Sequence, residues 1–140
     1  MKLSHTLSFV TISIFTFFSL LMPQTALSQE MDNLDVETAL ICRDVVNRQP
    51  VDPGTSFPGT VEKLFCFSKI VGAKKPTAVT HVWYYGNTEM FRIKLPVKAS
   101  SWRTFSQKTI WSHQNGVWHV DILDAAGNKL EVVNFQILKQ

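Results

Sequence analysis

The side chains with chemical capacity in this chain are four histidines, two cysteines, a serine inside a strand-like run and a close pair of aspartates. A nucleophilic triad needs a serine or cysteine beside a base, exposed on a strained elbow or loop. No G-x-S-x-G string exists, and Ser106 lies within an extended run. A zinc site needs three or four converging ligands. Of His81, His113, His119 and Asp121, only His119 and Asp121 share a face at i, i+2, so a solvated face is the better reading and no metal is expected. Asp121 and Asp124 are neighbours, but nothing around them separates their pKa values for acid–base work on glycosides. No catalytic residue and no cofactor is therefore assigned, and the chain is read as non-enzymatic.

The pattern that can carry recognition is aromatic and basic. Gly86-Asn87 reads as a two-residue hairpin turn, because both residues have access to positive φ. The register that follows sets Tyr85 opposite Thr88, Trp83 opposite Met90, Val82 opposite Phe91 and His81 opposite Arg92. Alternation then gives one face to Val82, Phe91, Ile93 and Leu95, and the other to His81, Trp83, Tyr85, Met90, Arg92 and Lys94. Rings that stack on flat ligands, with cations beside them that hold acidic or hydroxyl groups, suit a binding surface. Trp83 also fits the core tryptophan of a sandwich, with Arg92 and Lys94 snorkelling at its edge. Trp102, Arg103 and Lys108 carry the same ambiguity, with Trp102, Ser106 and Lys108 on one side of their run and Arg103 and Phe105 on the other.

The elements that must position these residues are short and β-rich. Runs at 38–46, 60–71, 77–85, 88–97, 102–111, 117–123 and 129–138 alternate with turn signals at Asp52-Pro53-Gly54, 72–76, Gly86-Asn87, 99–101, Asn115-Gly116 and 125–128. Seven strands at this spacing, with no helical period, predict an all-β fold, an antiparallel immunoglobulin-like β-sandwich of about seven strands. Trp118, Val120 and Ile122 face inward, leaving His119 and Asp121 outside. Leu64, Cys66 and Ile70 share a side, as do Leu40 and Cys42, so both cysteines are expected in one core and bridged. Such a bridge closes a loop of about 25 residues, worth roughly 3 kcal/mol.

Lys2, an apolar stretch from Leu7 to Met22, and Ala26 and Ser28 have the layout of a signal peptide over residues 1–28. The stretch is shorter than the roughly 20 residues of a spanning helix, so cleavage after Ser28 and no membrane anchor are expected. An acidic lead-in follows over residues 29–37, then one domain over residues 38–140. Without Lys2, the 14 basic residues fall to 13 against 11 acidic ones. These charges are scattered, which excludes a nucleic-acid footprint.

Cys42, the segment Leu64-Phe65-Cys66-Phe67-Ser68-Lys69-Ile70 with Gly72, His81-Val82-Trp83-Tyr84-Tyr85, Trp102-Arg103-Thr104-Phe105-Ser106-Gln107-Lys108 and Gly116-Val117-Trp118-His119-Val120-Asp121 stand in an order that resembles the bacterial domain of unknown function 2914 family. The resemblance runs from about Ala39 to Ile137. It implies an exported or membrane-tethered bacterial β domain and no particular activity. The longer family members have additional membrane segments, and none is expected in this chain.

The expected function is a non-catalytic recognition or interaction module of the periplasm or cell exterior. Its partner is an envelope glycan or protein, and its candidate ligand residues are His81, Trp83, Tyr85, Arg92, Lys94, Trp102, Arg103 and Lys108. A packing domain for another envelope protein and a weak hydrolase are the alternatives.

Overall fold

The structure, a computed structural model, describes residues 33–140. The expected signal peptide lies outside the described residues. Nine strands form two sheets and no helix is present among the described residues. The strands are β1 (Asp35–Val46), β2 (Gln49–Gly54), β3 (Ser56–Phe57), β4 (Lys63–Val71), β5 (Thr77–Tyr85), β6 (Thr88–Val97), β7 (Ser101–Thr109), β8 (Gly116–Leu123) and β9 (Lys129–Ile137). One sheet has the order β2-β1-β4-β7 and the other β3-β9-β8-β5-β6. All pairings are antiparallel except the short parallel pair of β3 and β9.

All seven expected strands are present, and β5 and β6 have the expected limits. The two additional strands, β2 and β3, lie between the first two expected runs, where a turn at Asp52-Pro53-Gly54 is the one expected feature. Asp52-Pro53-Gly54 continues β2, and the chain reverses earlier, at Asn47 and Arg48, which have φ of 49° and 59°. Positive φ at both central positions is the backbone of a tight hairpin turn. The segment expected as a flexible lead-in is also partly structured, because β1 begins at Asp35 and pairs with Val71.

The residues that face between the two sheets are buried, and β4 and the middles of β5 and β8 are buried on both faces. Trp83, Trp118, Val120, Phe135, Ile41, Leu64 and Cys66 form one buried cluster, and Ile70, Val79, Leu95, Val97 and Ile122 form a second. Along β5, His81 falls between Val79 and Trp83; along β4, Ser68 falls between Cys66 and Ile70. A thin polar layer therefore separates the two apolar clusters.

The cysteines depart from expectation. Ile41 pairs with Cys66 and Cys42 with Phe65, so Cys66 points between the sheets and Cys42 points away from them. Cys42 packs outside with Phe65 and Phe67, and both thiols are free. Leu40 and Cys42 share a side of β1 as expected, but the inward set of β1 is the one containing Ile41.

The β1–β2 hairpin also curls. Its pairing with β4 ends at Cys42↔Phe65, and a straight continuation sends Arg48 past the Lys63 end of the sheet. Instead Val45 packs on the Cys42–Phe65–Phe67 cluster, and the Arg48 guanidinium stands 5.0 Å from the Trp102 ring, which belongs to the Ile70 end. The hairpin tip thus lies back over the outer face of the four-stranded sheet.

Candidate functional site

The expected ligand face of the β5–β6 hairpin is divided by a bulge. Tyr85↔Thr88 holds, Tyr84 pairs with Glu89, and the register then shifts so that Trp83 pairs with Phe91, Val82 with Arg92 and His81 with Ile93. Met90 is the additional residue on β6. A one-residue shift exchanges the faces, so His81, Trp83 and Tyr85 join Phe91 and Ile93 inside, while Arg92 and Lys94 remain outside. Contrary to expectation, His81, Trp83 and Tyr85 therefore form no outer surface with Arg92 and Lys94.

Inside the sandwich those residues make polar contacts between the sheets. His81 Nε2 is 3.0 Å from Ser68 Oγ, and His81 Nδ1 is 2.7 Å from Ser106 Oγ. A neutral ring donates from one nitrogen and accepts at the other, so the two serines supply one acceptor and one donor. The Trp83 indole N–H donates to the same Ser106 hydroxyl at 3.0 Å. Burial lowers the His81 pKa to about 4, which keeps the ring neutral. The Tyr85 hydroxyl donates to the Asn115 carbonyl at 2.6 Å, and its ring tilts against Trp118. The Ser106–His81 pair has the composition of a nucleophile and base, yet both are buried, out of reach of a substrate.

On the outside, Arg92 is occupied by Glu89, with its Nε and Nη2 donating to Oε1 at 2.9 and 2.6 Å. Further across the same sheet, Tyr84 stacks on His119 with centroids 4.6 Å apart. Asp121 lies on the outer face as expected, but it is buried there, 3.1 Å from Lys129 Nζ and 3.7 Å from His119 Nε2. Among the described residues no group of three or more His, Cys, Asp or Glu side chains is placed to hold a metal.

Strand β7 follows the expected alternation. Trp102, Ser106 and Lys108 lie on one side, and Arg103 and Phe105 on the exposed other side. Burial lowers the Lys108 pKa, and its ammonium donates to the Thr109 carbonyl at 2.8 Å.

The other end of β7 brings cations and a tryptophan together around one depression. A depression of about 370 Å³ is lined by Arg48, Lys69, Ala99, Ser101, Trp102 and Arg103. Arg48 rests over the Trp102 ring, a cation–π contact that holds the guanidinium in place. Lys69 is ion-paired with Glu37, whereas among the described residues neither Arg48 nor Arg103 has a carboxylate partner. Three cations and one acid leave an excess of positive charge around a polar hollow.

The structure thus unites Trp102 and Arg103 from the expected set, and separates them from His81, Trp83 and Tyr85 in the core, from Arg92 and Lys94 on the opposite sheet, and from Lys108 at the far end of β7. Arg48 and Lys69 were not expected. The one local signal for Arg48 is Asn47-Arg48 as a turn, and nothing near it in sequence indicates Trp102 as its neighbour.

No curated protein matches the chain. Residues 76–137, which comprise β5 to β9 and include Trp102 and Arg103 but neither Arg48 nor Lys69, match the family described as "Protein of unknown function (DUF2914)", and over that stretch the chain resembles this family.

Proposed function

We propose that this domain is an exported, non-catalytic recognition module of the bacterial envelope that holds an anionic group in the hollow between Arg48, Lys69, Trp102 and Arg103. The observation that carries the reading is the Arg48 guanidinium, 5.0 Å over the Trp102 ring and without a carboxylate partner among the described residues. A guanidinium presents paired donors that fit carboxylate, sulfate or phosphate oxygens. The cation–π contact limits the side-chain freedom that binding would otherwise remove, which favours affinity.

The fold supports this reading as an immunoglobulin-like scaffold. The order β1-β4-β7 against β9-β8-β5-β6, with Trp83 buried on β5, follows the arrangement in which a tryptophan on the third core strand packs between two sheets. In that arrangement the bridge joins the strands corresponding to β4 and β8, which agrees with Cys66 having no partner in Cys42. Placement in the periplasm or outside the cell rests on the N-terminal layout.

The packing-domain alternative draws on one observation. Phe105 is 42% exposed and rests against Phe65 with centroids 5.9 Å apart, continuing an apolar strip on the outer face of the four-stranded sheet.

Calorimetric titration with inorganic pyrophosphate, a multivalent anion without rings, tests the proposal. Binding is expected at low ionic strength, weakening with salt and falling about tenfold in Arg48→Ala and in Arg103→Ala. Absence of binding at low salt, or equal affinity in the double variant, overturns it.

A further inference from the structure

We infer that Trp111, beyond the opposite end of β7, is the stacking platform of a second binding site that takes a neutral linear saccharide. The ring is 59% exposed, the most exposed tryptophan of the domain. Its backbone is nonetheless firmly held. The Trp111 N–H donates to Gln114 Oε1 at 2.9 Å, and its carbonyl accepts from the Gln114 N–H at 2.9 Å. Gln114 is buried, and its own carbonyl accepts the indole N–H of the core residue Trp118 at 3.0 Å. Immediately before it, Ile110 is buried and its N–H donates to the Glu62 carbonyl at 2.9 Å. An exposed ring is thus presented by a backbone anchored to the core, an arrangement that costs a ligand little ordering.

Trp111 lines two depressions. One, of about 530 Å³, is lined by Thr60, Glu62, Ser112 and Gln140, among others. The second, of about 350 Å³, is lined by Met90, Phe91, Gln107 and Lys108 together with Trp111. Both volumes lie in the ordinary range of small-ligand sites. A pyranose ring offers an apolar C–H face to an indole and directs hydroxyls outward in its own plane. Hydroxyl and amide groups on the flanks can donate to and accept from such hydroxyls. A flat apolar partner would instead leave that rim unpaired. Glu62 on one side disfavours a polyanion and Lys108 on the other a polycation, so a neutral chain is favoured. Two hollows that share Trp111 in their lining give room for a chain longer than one ring.

This site is independent of the anion hollow, and one spectrum reads both. Protein labelled with 5-fluorotryptophan carries four fluorines, at Trp83, Trp102, Trp111 and Trp118. Their resonances are assigned with Trp102→Phe and Trp111→Phe. The probes are cellohexaose, chitohexaose and maltohexaose. At least one is expected to shift the Trp111 resonance saturably while those of Trp83 and Trp118 stay fixed. Pyrophosphate is expected to move Trp102 and not Trp111, so failure at either site is seen separately. Trp111→Ala should lower saccharide affinity at least tenfold, and Ser112→Trp, which fills the larger hollow from an exposed position, should do the same. A Trp111 resonance unmoved by all three hexasaccharides overturns the inference, as does affinity that survives both substitutions.

Discussion

His81 Nδ1 lies 2.7 Å from Ser106 Oγ, joining an interior strand of one sheet to the edge strand of the other through a hydrogen bond sealed from water. The same hydroxyl accepts the Trp83 indole N–H. Removing it strands two buried polar groups at once, each worth roughly 1–3 kcal/mol when left unpaired. Ser106→Ala should therefore destabilise the domain by about 2–4 kcal/mol, and Ser68→Ala, with one His81 contact to lose, by less. Urea unfolding of the two variants checks the order; equal and small losses contradict it.

The neutrality of His81 makes stability depend on pH. Burial lowers its folded pKa to about 4, against an ordinary value of 6.5. Between these values the unfolded chain binds a proton that the folded one refuses, so stability falls as pH drops from 6.5 towards 4 and this contribution levels off below. The full loss is on the order of 3 kcal/mol. Denaturation midpoints measured from pH 7.5 to 4.5 should fall steadily. The hydrogen-bonded Asp124 carboxyl, lowered below its usual 3.8, adds its own loss only at still lower pH. Midpoints unchanged across that window contradict the assignment.

Trp83 and Arg92 should behave oppositely although they sit on paired strands. Trp83 is fully buried, so Trp83→Ala is expected to cost about 3–5 kcal/mol. Arg92 is exposed and ion-paired only with Glu89, so Arg92→Ala should change stability by less than about half a kcal/mol. Thermal melts of the two variants read the difference directly.

The two thiols should be silent until the domain unfolds. Burial pushes up the pKa of both Cys42 and Cys66, and they face opposite sides of one sheet. A thiol reagent should titrate no groups in native protein and two in denaturant, and a reductant should leave the melting temperature unchanged. A titration of zero thiols after unfolding would reinstate the bridge.

Much of the scaffold is legible in the residues, because alternation and turn chemistry are local. Gly86 has a φ of 57°, the turn it forms with Asn87 has two residues, and β5 and β6 end where the polar punctuation predicts. What local pattern cannot encode is a bulge. Met90 interrupts an otherwise regular run, and the shift it introduces turns Trp83 and His81 from an expected surface into core. Cys42 shows the same difficulty in another form, since alternation places it with Leu40 but not inside or outside. The hollow at the Ser101 end of β7 is half legible in the sequence, since Trp102 and Arg103 stand out by type. Arg48 arrives only because the β1–β2 hairpin curls over the sheet, a tertiary event with a separation of more than fifty residues. In sequence Trp111, at the end of a strand-like run, has the look of a core tryptophan, and its exposure is a tertiary property.

Arginine side-chain resonances give the most direct test of the anion hollow. Each Nε–Hε pair reports its own surroundings, so a spectrum recorded during addition of inorganic pyrophosphate shows which guanidiniums meet the anion. The expected result is saturable shifts at Arg48 and Arg103 with a common dissociation constant, accompanied by the Trp102 indole, while Arg92 stays where Glu89 holds it. Shifts centred on Arg92, or equal small shifts at every arginine that vanish together with modest salt, would contradict a built site between Arg48, Lys69, Trp102 and Arg103.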